Sequence, residues 1–346
     1  MLSSWLSKPF TIEARDIPDP ELADPGDVIV RIRYAGICGS DLWSYRGLVS
    51  RPEGQIGHEF LGEVVAAGPD VTTVRPGDAV IAPFLFAEGS CEECRRGLPT
   101  LCERSGIWGR NGMGAQAEAI RVPYADAVLV PLPWAPGDID DDLGRTLLPL
   151  CDVFATGTHG AVLAGVSAGD TVAVVGDGAV GISAAVAARR LGAERVVLLG
   201  DQPARLAVAA GLGVETMQVS RDASPKAALR ALLGGRLPGR VVECVGLQGA
   251  WDTAFDVVAP AGAIGFVGLP HGVDPIPPSR IFDRQVQVCG GPAPARTYLP
   301  DLLAAVRAGE LDPSPLINQV IDLGDVRSGY EAMHTGAALK VLLRCS

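Results

Sequence analysis

Three residues in the first part of the chain are of types that bind zinc and assist proton transfer. Cys38 lies in a Gly-Ile-Cys-Gly-Ser-Asp run, and His58 and Glu59 directly follow Gly57. Catalytic zinc prefers thiolate and imidazole ligands, and a carboxylate can supply a third while one position stays open. A lone Cys or His is more often an ordinary core residue. Here the flanking glycines let the backbone turn a side chain inward, which favours a metal site.

A second group of chemically active residues is a cysteine cluster. Cys91, Cys94 and Cys102 lie close in sequence, whereas the other five of the eight cysteines stand apart. The N-terminus, residues 1–15, lacks the basic-then-apolar order of a secretory signal. In such a chain, clustered cysteines indicate metal ligands before they indicate disulfides.

A glycine-rich run in the second half of the chain has the chemistry of a dinucleotide site. Gly176-Asp177-Gly178-Ala179-Val180-Gly181 follows a predicted strand, 171–175, and opens a predicted helix, 180–191. Glycines in this context permit a tight turn and close approach to a pyrophosphate at the helix N-terminus. The simpler alternative is a glycine-rich turn that binds nothing. The context favours cofactor binding, with Gly176, Gly178, Ala179 and Val180 as contacts.

The end of the next predicted strand bears on the choice between NAD and NADP. An acidic residue there accepts from the ribose 2′-hydroxyl of NAD, whereas its absence beside an arginine accommodates the 2′-phosphate of NADP. Either Gly200 holds that position, with Arg205 and Arg221 as candidate phosphate ligands for NADP, or Asp201 is the acid that reads the ribose of NAD. The residues alone leave both interpretations open.

Two kinds of segment surround these motifs. Between residues 11 and 130, short β-like runs at 27–34, 62–67, 78–82 and 117–122 are broken by Gly and Pro, which is typical of an irregular barrel. From residue 171, apolar strands at 171–175, 195–199, 241–244, 263–267 and 286–289 alternate with helical stretches, which predicts a parallel sheet. A helix at 299–308 and a strand at 338–344 are predicted to return to the first domain.

Composition and charge restrict the partners. The 346 residues are 48% hydrophobic and 20% charged, as in a folded protein of about two domains. The net charge of −11 argues against nucleic acid and anionic membranes, which require a basic surface. No apolar run is suited to span a bilayer. We therefore expect a cytoplasmic protein that acts on small molecules.

The motifs together resemble the zinc-dependent medium-chain alcohol dehydrogenases. The family signature GHExxGxxxxxGxxV is present from Gly57 to Val71, and the resemblance extends from about residue 8 to 344. It implies an α/β fold, with a Rossmann doubly wound parallel sheet and a GroES-like irregular β-barrel. The implied domains are a catalytic domain (1–153), a Rossmann domain (154–290) and a C-terminal return to the first (291–346).

The resemblance also implies roles for individual residues. The catalytic zinc ligands correspond to Cys38, His58 and Asp152, with Glu59 able to approach the metal. Asp41 corresponds to the acid that orients the histidine, and Ser40 to the hydroxyl that takes the substrate proton. The residues expected to line the cofactor are Thr156, beside the nicotinamide, and Val245, Gly246, Gly268 and Leu269. Relatives have a pair similar to Arg205-Leu206, and counting back from it implies Gly200 at the ribose-reading position, which favours NADP. A zinc ion would act as a Lewis acid that lowers the pKa of an alcohol, and a homodimer or homotetramer is implied.

Two positions depart from the family pattern. Many relatives have a proton-relay histidine where this chain has Trp43, whose indole N–H can donate but cannot accept a proton. In the expected structural zinc lobe (84–105), Glu88 stands where the family has a first cysteine, ahead of Cys91, Cys94 and Cys102. A carboxylate can bind zinc, so we expect retained metal; the alternative is an empty lobe. The alternative functions are a zinc-free enone or quinone reductase and a non-catalytic nucleotide-binding protein.

Overall fold

The computed structural model describes residues 1–110, 112–220 and 223–345, which form two compact units. The first unit contains Met1–Asp152 and the chain from Pro294 onward, and the second contains Val153–Ala293. Within the described residues, no helix has the length and apolarity needed to cross a membrane.

The first unit is built mainly of short antiparallel strands. Its longest described strand, Val28–Ile37, is buried along most of its length, and three other strands of the unit pair with it. The elements up to residue 152 are β1 (Leu2–Lys8), β2 (Thr11–Asp16), β3 (Val28–Ile37), α1 (Asp41–Tyr45), β4 (Gly54–Gln55), β5 (Phe60–Ala67), β6 (Ala79–Ala82), β7 (Leu85–Phe86), α2 (Glu92–Arg95), β8 (Gly106–Ile107), β9 (Ala119–Val122), α3 (Ala125–Val128), β10 (Val130–Pro131) and α4 (Asp141–Leu147).

The second unit is a six-stranded parallel sheet with helices between its strands. Its elements are α5 (Val153–Leu163), β11 (Thr171–Val175), α6 (Ala179–Arg190), β12 (Arg195–Gly200), α7 (Pro203–Gly211), β13 (Glu215–Gln218), α8 (Lys226–Leu232), β14 (Arg240–Glu243), α9 (Gln248–Val257), β15 (Ala263–Phe266), α10 (Pro278–Phe282) and β16 (Gln287–Gly290). The strand order β13-β12-β11-β14-β15-β16 is that of a doubly wound dinucleotide-binding fold. The predicted Rossmann sheet is confirmed.

The last segment completes the first unit. It contains α11 (Ala295–Arg307), β17 (Gln319–Asp322), α12 (Val326–Thr335) and β18 (Val341–Arg344). Strand β18 pairs antiparallel with β3, with Val341 opposite Ile37, and parallel with β17. The resulting sheet has the order β10-β6-β5-β3-β18-β17, with β9 also on β3. Residues more than 300 positions apart are thereby brought to the same strand ends.

Candidate catalytic metal centre and dinucleotide site

Four buried side chains converge at strand ends of the first unit. Cys38 follows the last residue of β3, His58 and Glu59 directly precede β5, and Asp152 follows a 3₁₀ turn at Leu148–Cys151. One ligand atom from each lies within 4.8 Å of the ligand atoms of the other three. A thiol, an imidazole and two carboxylates are therefore gathered around one point, which is a donor set that suits zinc.

Asp152 has the closest contacts within this metal-ligand cluster. Its Oδ2 lies 3.3 Å from Cys38 Sγ and 3.2 Å from His58 Nε2. The neighbouring Cys151 takes no part, because its buried thiol donates to the carbonyl oxygen of Phe60 at 3.3 Å. The structure therefore brings Asp152, and not Cys151, to Cys38 and His58.

Asp41 orients the imidazole of His58 from the side opposite the cluster. Its Oδ1 lies 3.3 Å from His58 Nδ1, and its Oδ2 accepts from the backbone N–H of Cys38 at 3.0 Å and from Gln116 Nε2 at 3.3 Å. Tyr330 in turn donates its hydroxyl to Gln116 Oε1 at 3.0 Å. A single carboxylate thus sets the positions of two ligands, and Gln116 and Tyr330, which the sequence did not indicate, hold that carboxylate.

A buried ion pair lies beside the cluster. Lys340 Nζ is 2.5 Å from Glu59 Oε2 and 3.5 Å from the carbonyl oxygen of Ile37, with side chains that are 1% and 0% exposed for Lys340 and Glu59. Burial alone would lower the pKa of Lys340, but the Glu59 carboxylate holds it above its ordinary value. Glu59 Oε1 is buried and has no hydrogen-bond partner within the described part of the chain. Lys340 was not predicted from the sequence.

The electrostatics of the cluster suit a bound cation. Burial raises the pKa of the Cys38 thiol, and the carboxylates of Asp152 and Glu59 raise it further. For His58, burial opposes protonation, but the charge of Asp41 and its other acidic neighbours raise the pKa well above its ordinary value. A divalent metal would reverse both tendencies, since it favours thiolate and neutral imidazole. It would also give Glu59 Oε1 a partner, so the residues fit zinc.

The cysteine cluster forms a second group of potential ligands. The sulfurs of Cys91, Cys94 and Cys102 lie within 4.8 Å of one another. Glu88 does not join them, because its carboxylate pairs with Arg104 at 3.3 Å. Burial opposes ionisation of Cys102, yet backbone donors at Glu88 and Arg104 leave its pKa below the ordinary value. The structure brings together three of the four predicted lobe residues.

The glycine-rich run forms the predicted turn between β11 and α6. Gly176 has φ of +112°, in the region that favours glycine, and a Cβ at Gly181 would collide with the carbonyl oxygen of Gly176. A Cβ at Gly178 would meet none of the described atoms within 4 Å. Gly178 caps α6, which begins with Ala179 and Val180, without a side-chain hydrogen bond. This cradle leaves an uncapped helix N-terminus and open space, which fits a pyrophosphate.

The loops after β14 and β15 are held together by a buried glutamate. Glu243 Oε1 accepts from the backbone N–H groups of Val245 and Gly246, both at 2.8 Å. Gly268 donates its N–H to the Glu243 carbonyl oxygen at 3.2 Å, whereas Leu269 is 47% exposed. Glu243 therefore fixes the two backbone segments that were predicted to line the cofactor, although the sequence did not point to it.

The remaining predicted residues lie in different settings. Ser40 is exposed, with its Oγ 3.3 Å from His58 Nε2. Thr156 belongs to the second unit, on α5. Gly200 is the last residue of β12, and Asp201 follows it half-buried, with Oδ1 accepting from Gln202 Nε2 at 3.2 Å. Arg221 lies outside the described residues.

Comparison with known proteins agrees with this architecture. Family models match residues 24–133 (alcohol dehydrogenase GroES-like domain) and 179–307 (zinc-binding dehydrogenase). The chain is 30% identical to zinc-type alcohol dehydrogenase B of Aspergillus flavus, covering 97% of this chain and 79% of that protein. It is 32% identical to the glutathione-independent formaldehyde dehydrogenase of Pseudomonas aeruginosa, covering 97% and 95%.

A solved structure shows the same similarity in three dimensions. Alcohol dehydrogenase TADH from Thermus sp. ATN1 superposes with a TM-score of 0.91 at 32% sequence identity, covering 99% of each chain. The similarity therefore includes residues of both units. The chain therefore belongs to the zinc-dependent medium-chain alcohol dehydrogenase family, whose members transfer a hydride between an alcohol or carbonyl substrate and a nicotinamide cofactor.

Proposed function

We propose that this protein is an NAD(P)-dependent alcohol dehydrogenase whose activity requires zinc at Cys38, His58 and Asp152. The observation that carries the proposal is the convergence of these side chains with Glu59 in a buried cluster. When bound there, zinc supplies a Lewis acid that lowers the pKa of an alcohol, and the nicotinamide cofactor supplies or accepts the hydride. The ammonium of Lys340 offsets the negative charge that Glu59 adds to the cluster.

Ser40 is the residue best placed to move the substrate proton. Ser40 is an exposed residue, and its Oγ lies 3.3 Å from His58 Nε2, so it lies between the cluster and the protein surface. A hydroxyl can accept and donate a proton at the same oxygen. Trp43, half-buried on α1, cannot accept the proton in turn. We therefore propose that the proton leaves from Ser40 Oγ to solvent.

A direct test combines metal analysis with turnover. Purified protein is incubated with NAD or NADP and a panel of short-chain alcohols and aldehydes. The panel includes formaldehyde, because the Pseudomonas aeruginosa relative is a formaldehyde dehydrogenase. We expect alcohol-dependent formation of NADH or NADPH, which a zinc chelator abolishes and added zinc restores. Full activity in protein shown to be free of metal would disprove the zinc requirement.

Replacing Asp41 by asparagine is expected to weaken zinc binding at the catalytic site by about 10–100-fold. The substitution removes the charge facing His58 Nδ1 and changes an acceptor of the Cys38 N–H, so both ligands lose orientation. Competition with a chromophoric chelator measures the affinity. Asp24→Asn is the control, since Asp24 is exposed in the same unit. Equal zinc affinity in Asp41→Asn and the wild type would contradict the positioning role.

We also propose that the protein carries a second, structural zinc ion on Cys91, Cys94 and Cys102, with Glu88 as the predicted fourth ligand. Elemental analysis is expected to give two zinc ions per wild-type chain and one in Cys91→Ser. Cys289→Ser should retain two, because Cys289 is an exposed residue of the second unit and belongs to neither group of potential metal ligands. One ion per wild-type chain, with Cys91→Ser unchanged in stability, would show that the lobe is empty.

Glu88 itself needs a separate test because its carboxylate faces Arg104. If Glu88 completes the site, Glu88→Gln loses the second zinc ion more readily to a chelator than the wild type does. If the fourth position is taken by water or another group, Glu88→Gln and the wild type release this zinc equally.

A further inference from the structure

An acidic residue, Asp177, lies beside the end of β12, at the adenosine end of the proposed cofactor site. The residues that follow one another along β12 do not predict it. Gly200 occupies the position where a ribose-reading acid was sought, at the end of β12. A Cβ at Gly200 would lie 2.5 Å from Asp177 Oδ2 and closer still to Asp177 Cβ. The side chain of Asp177, from the glycine-rich turn, thus fills the space that a side chain at Gly200 would occupy.

The Asp177 carboxylate is fixed by contacts from the segment that follows β12. Its Oδ2 accepts from the backbone N–H of Gln202 at 2.8 Å, and its Oδ1 lies 3.5 Å from the Arg205 guanidinium. The Asp177 side chain is 7% exposed, and that of Arg205 is 29% exposed. A carboxylate held by a backbone donor and a cation is set in place before any ligand arrives.

This arrangement changes the argument for NADP. That prediction needed an arginine ready for a phosphate and no carboxylate beside it, but Arg205 is paired with Asp177. A 2′-phosphate at the end of β12 would meet the charge of Asp177, whereas a ribose hydroxyl could donate to it. We propose that Asp177 reads the adenosine ribose in place of an acid at Gly200 and makes NAD the preferred cofactor. This inference rests on the proposed function.

The test measures binding and does not depend on turnover. The dissociation constants of NADH and NADPH are determined by isothermal titration calorimetry for the wild type and Asp177→Asn. We expect the wild type to favour NADH by at least tenfold, and Asp177→Asn to reduce that preference by roughly ten- to a hundredfold. Asparagine has nearly the same shape and can still accept from Gln202, so circular dichroism and Tm should match the wild type.

Two further variants separate Asp177 from its alternatives. Asp170→Asn is the matched control, because it removes another Asp–Arg pair of the same unit, with Arg240 at 3.2 Å, just before the start of β11. It should leave the NADH to NADPH ratio unchanged. Asp201→Asn tests the acid that follows Gly200, and we expect it to shift the ratio less than Asp177→Asn does.

The outcomes are distinguishable from failure of the proposed function. Wild-type preference for NADPH, an unchanged ratio in Asp177→Asn, or a larger shift in Asp201→Asn would each overturn the role of Asp177 and leave the dehydrogenase proposal standing. Binding of neither nucleotide by the wild type would overturn both.

Discussion

His58→Ala is expected to lower kcat/KM for alcohol oxidation by about 10³-fold or more, since several kcal/mol of Lewis-acid stabilisation are lost with the zinc. The substitution removes one of the three proposed zinc ligands and leaves the buried Asp41 carboxylate without its imidazole partner. The fold should persist, because His58 lies at the end of a loop and adds little to the apolar core.

The measurement pairs steady-state kinetics with zinc content and circular dichroism. His334→Ala is the matched control, because His334 is an exposed histidine of the same unit, on α12, whose Nδ1 accepts from Arg46. It should keep the kcat/KM and the zinc content of the wild type. Wild-type turnover in His58→Ala protein free of catalytic zinc would refute the proposed mechanism.

Lys340→Met is expected to lower the free energy of unfolding by about 3–5 kcal/mol, the usual loss when one partner of a buried ion pair is removed. The Glu59 carboxylate is fully buried, and without the ammonium 2.5 Å away it would be left as an unpaired charge or would have to take up a proton, and either change costs free energy. Methionine retains much of the length of the lysine chain, so the effect reports the missing charge more than a cavity.

Urea denaturation followed by tryptophan fluorescence, with zinc removed from all variants, measures this loss. Lys8→Met is the control, because Lys8 is exposed at the end of β1, and it should change stability by no more than about 0.5 kcal/mol. The double variant Glu59→Gln/Lys340→Met removes both charges and should regain stability over Lys340→Met. A single variant as stable as the wild type, or a double variant no better than the single, would refute the charge argument.

Local backbone chemistry explains what could be predicted from the sequence. The turn at Gly176–Gly181 depends on neighbouring glycines and on the strand and helix that flank it, so a short window was sufficient to place it. Strands β11, β12, β14 and β15 of the second unit are rich in buried apolar residues, and each predicted run of this unit is observed with small shifts of its bounds, whereas the more polar β13 was not predicted. Strands β1 and β2 were not predicted. In β1, Ser3 and Ser4 are fully buried, so the apolar alternation that marks a strand is broken.

Other features depend on contacts between distant segments. Lys340 reaches Glu59, 281 residues away, only because Val341 on β18 pairs with Ile37 on β3. Gln116 donates to Asp41 from 75 residues away, and Tyr330 donates to Gln116 from 214 residues away. No motif marks these residues, since an ordinary lysine, glutamine or tyrosine gains its role from burial and from the partner placed opposite.

The dinucleotide site depends both on a local sequence motif and on contacts between separate segments. The dinucleotide motif, the family signature and the types of the metal-binding residues can be recognised from the sequence, because each depends on side-chain chemistry and near neighbours. The placement of Asp177 in the space beside Gly200 and its pairing with Arg205 follow from the fold, since parallel pairing of β11 with β12 brings these strand ends together. The residue order along β12 shows where an acid is missing, at Gly200. The turn after the neighbouring strand β11 determines which side chain occupies that space.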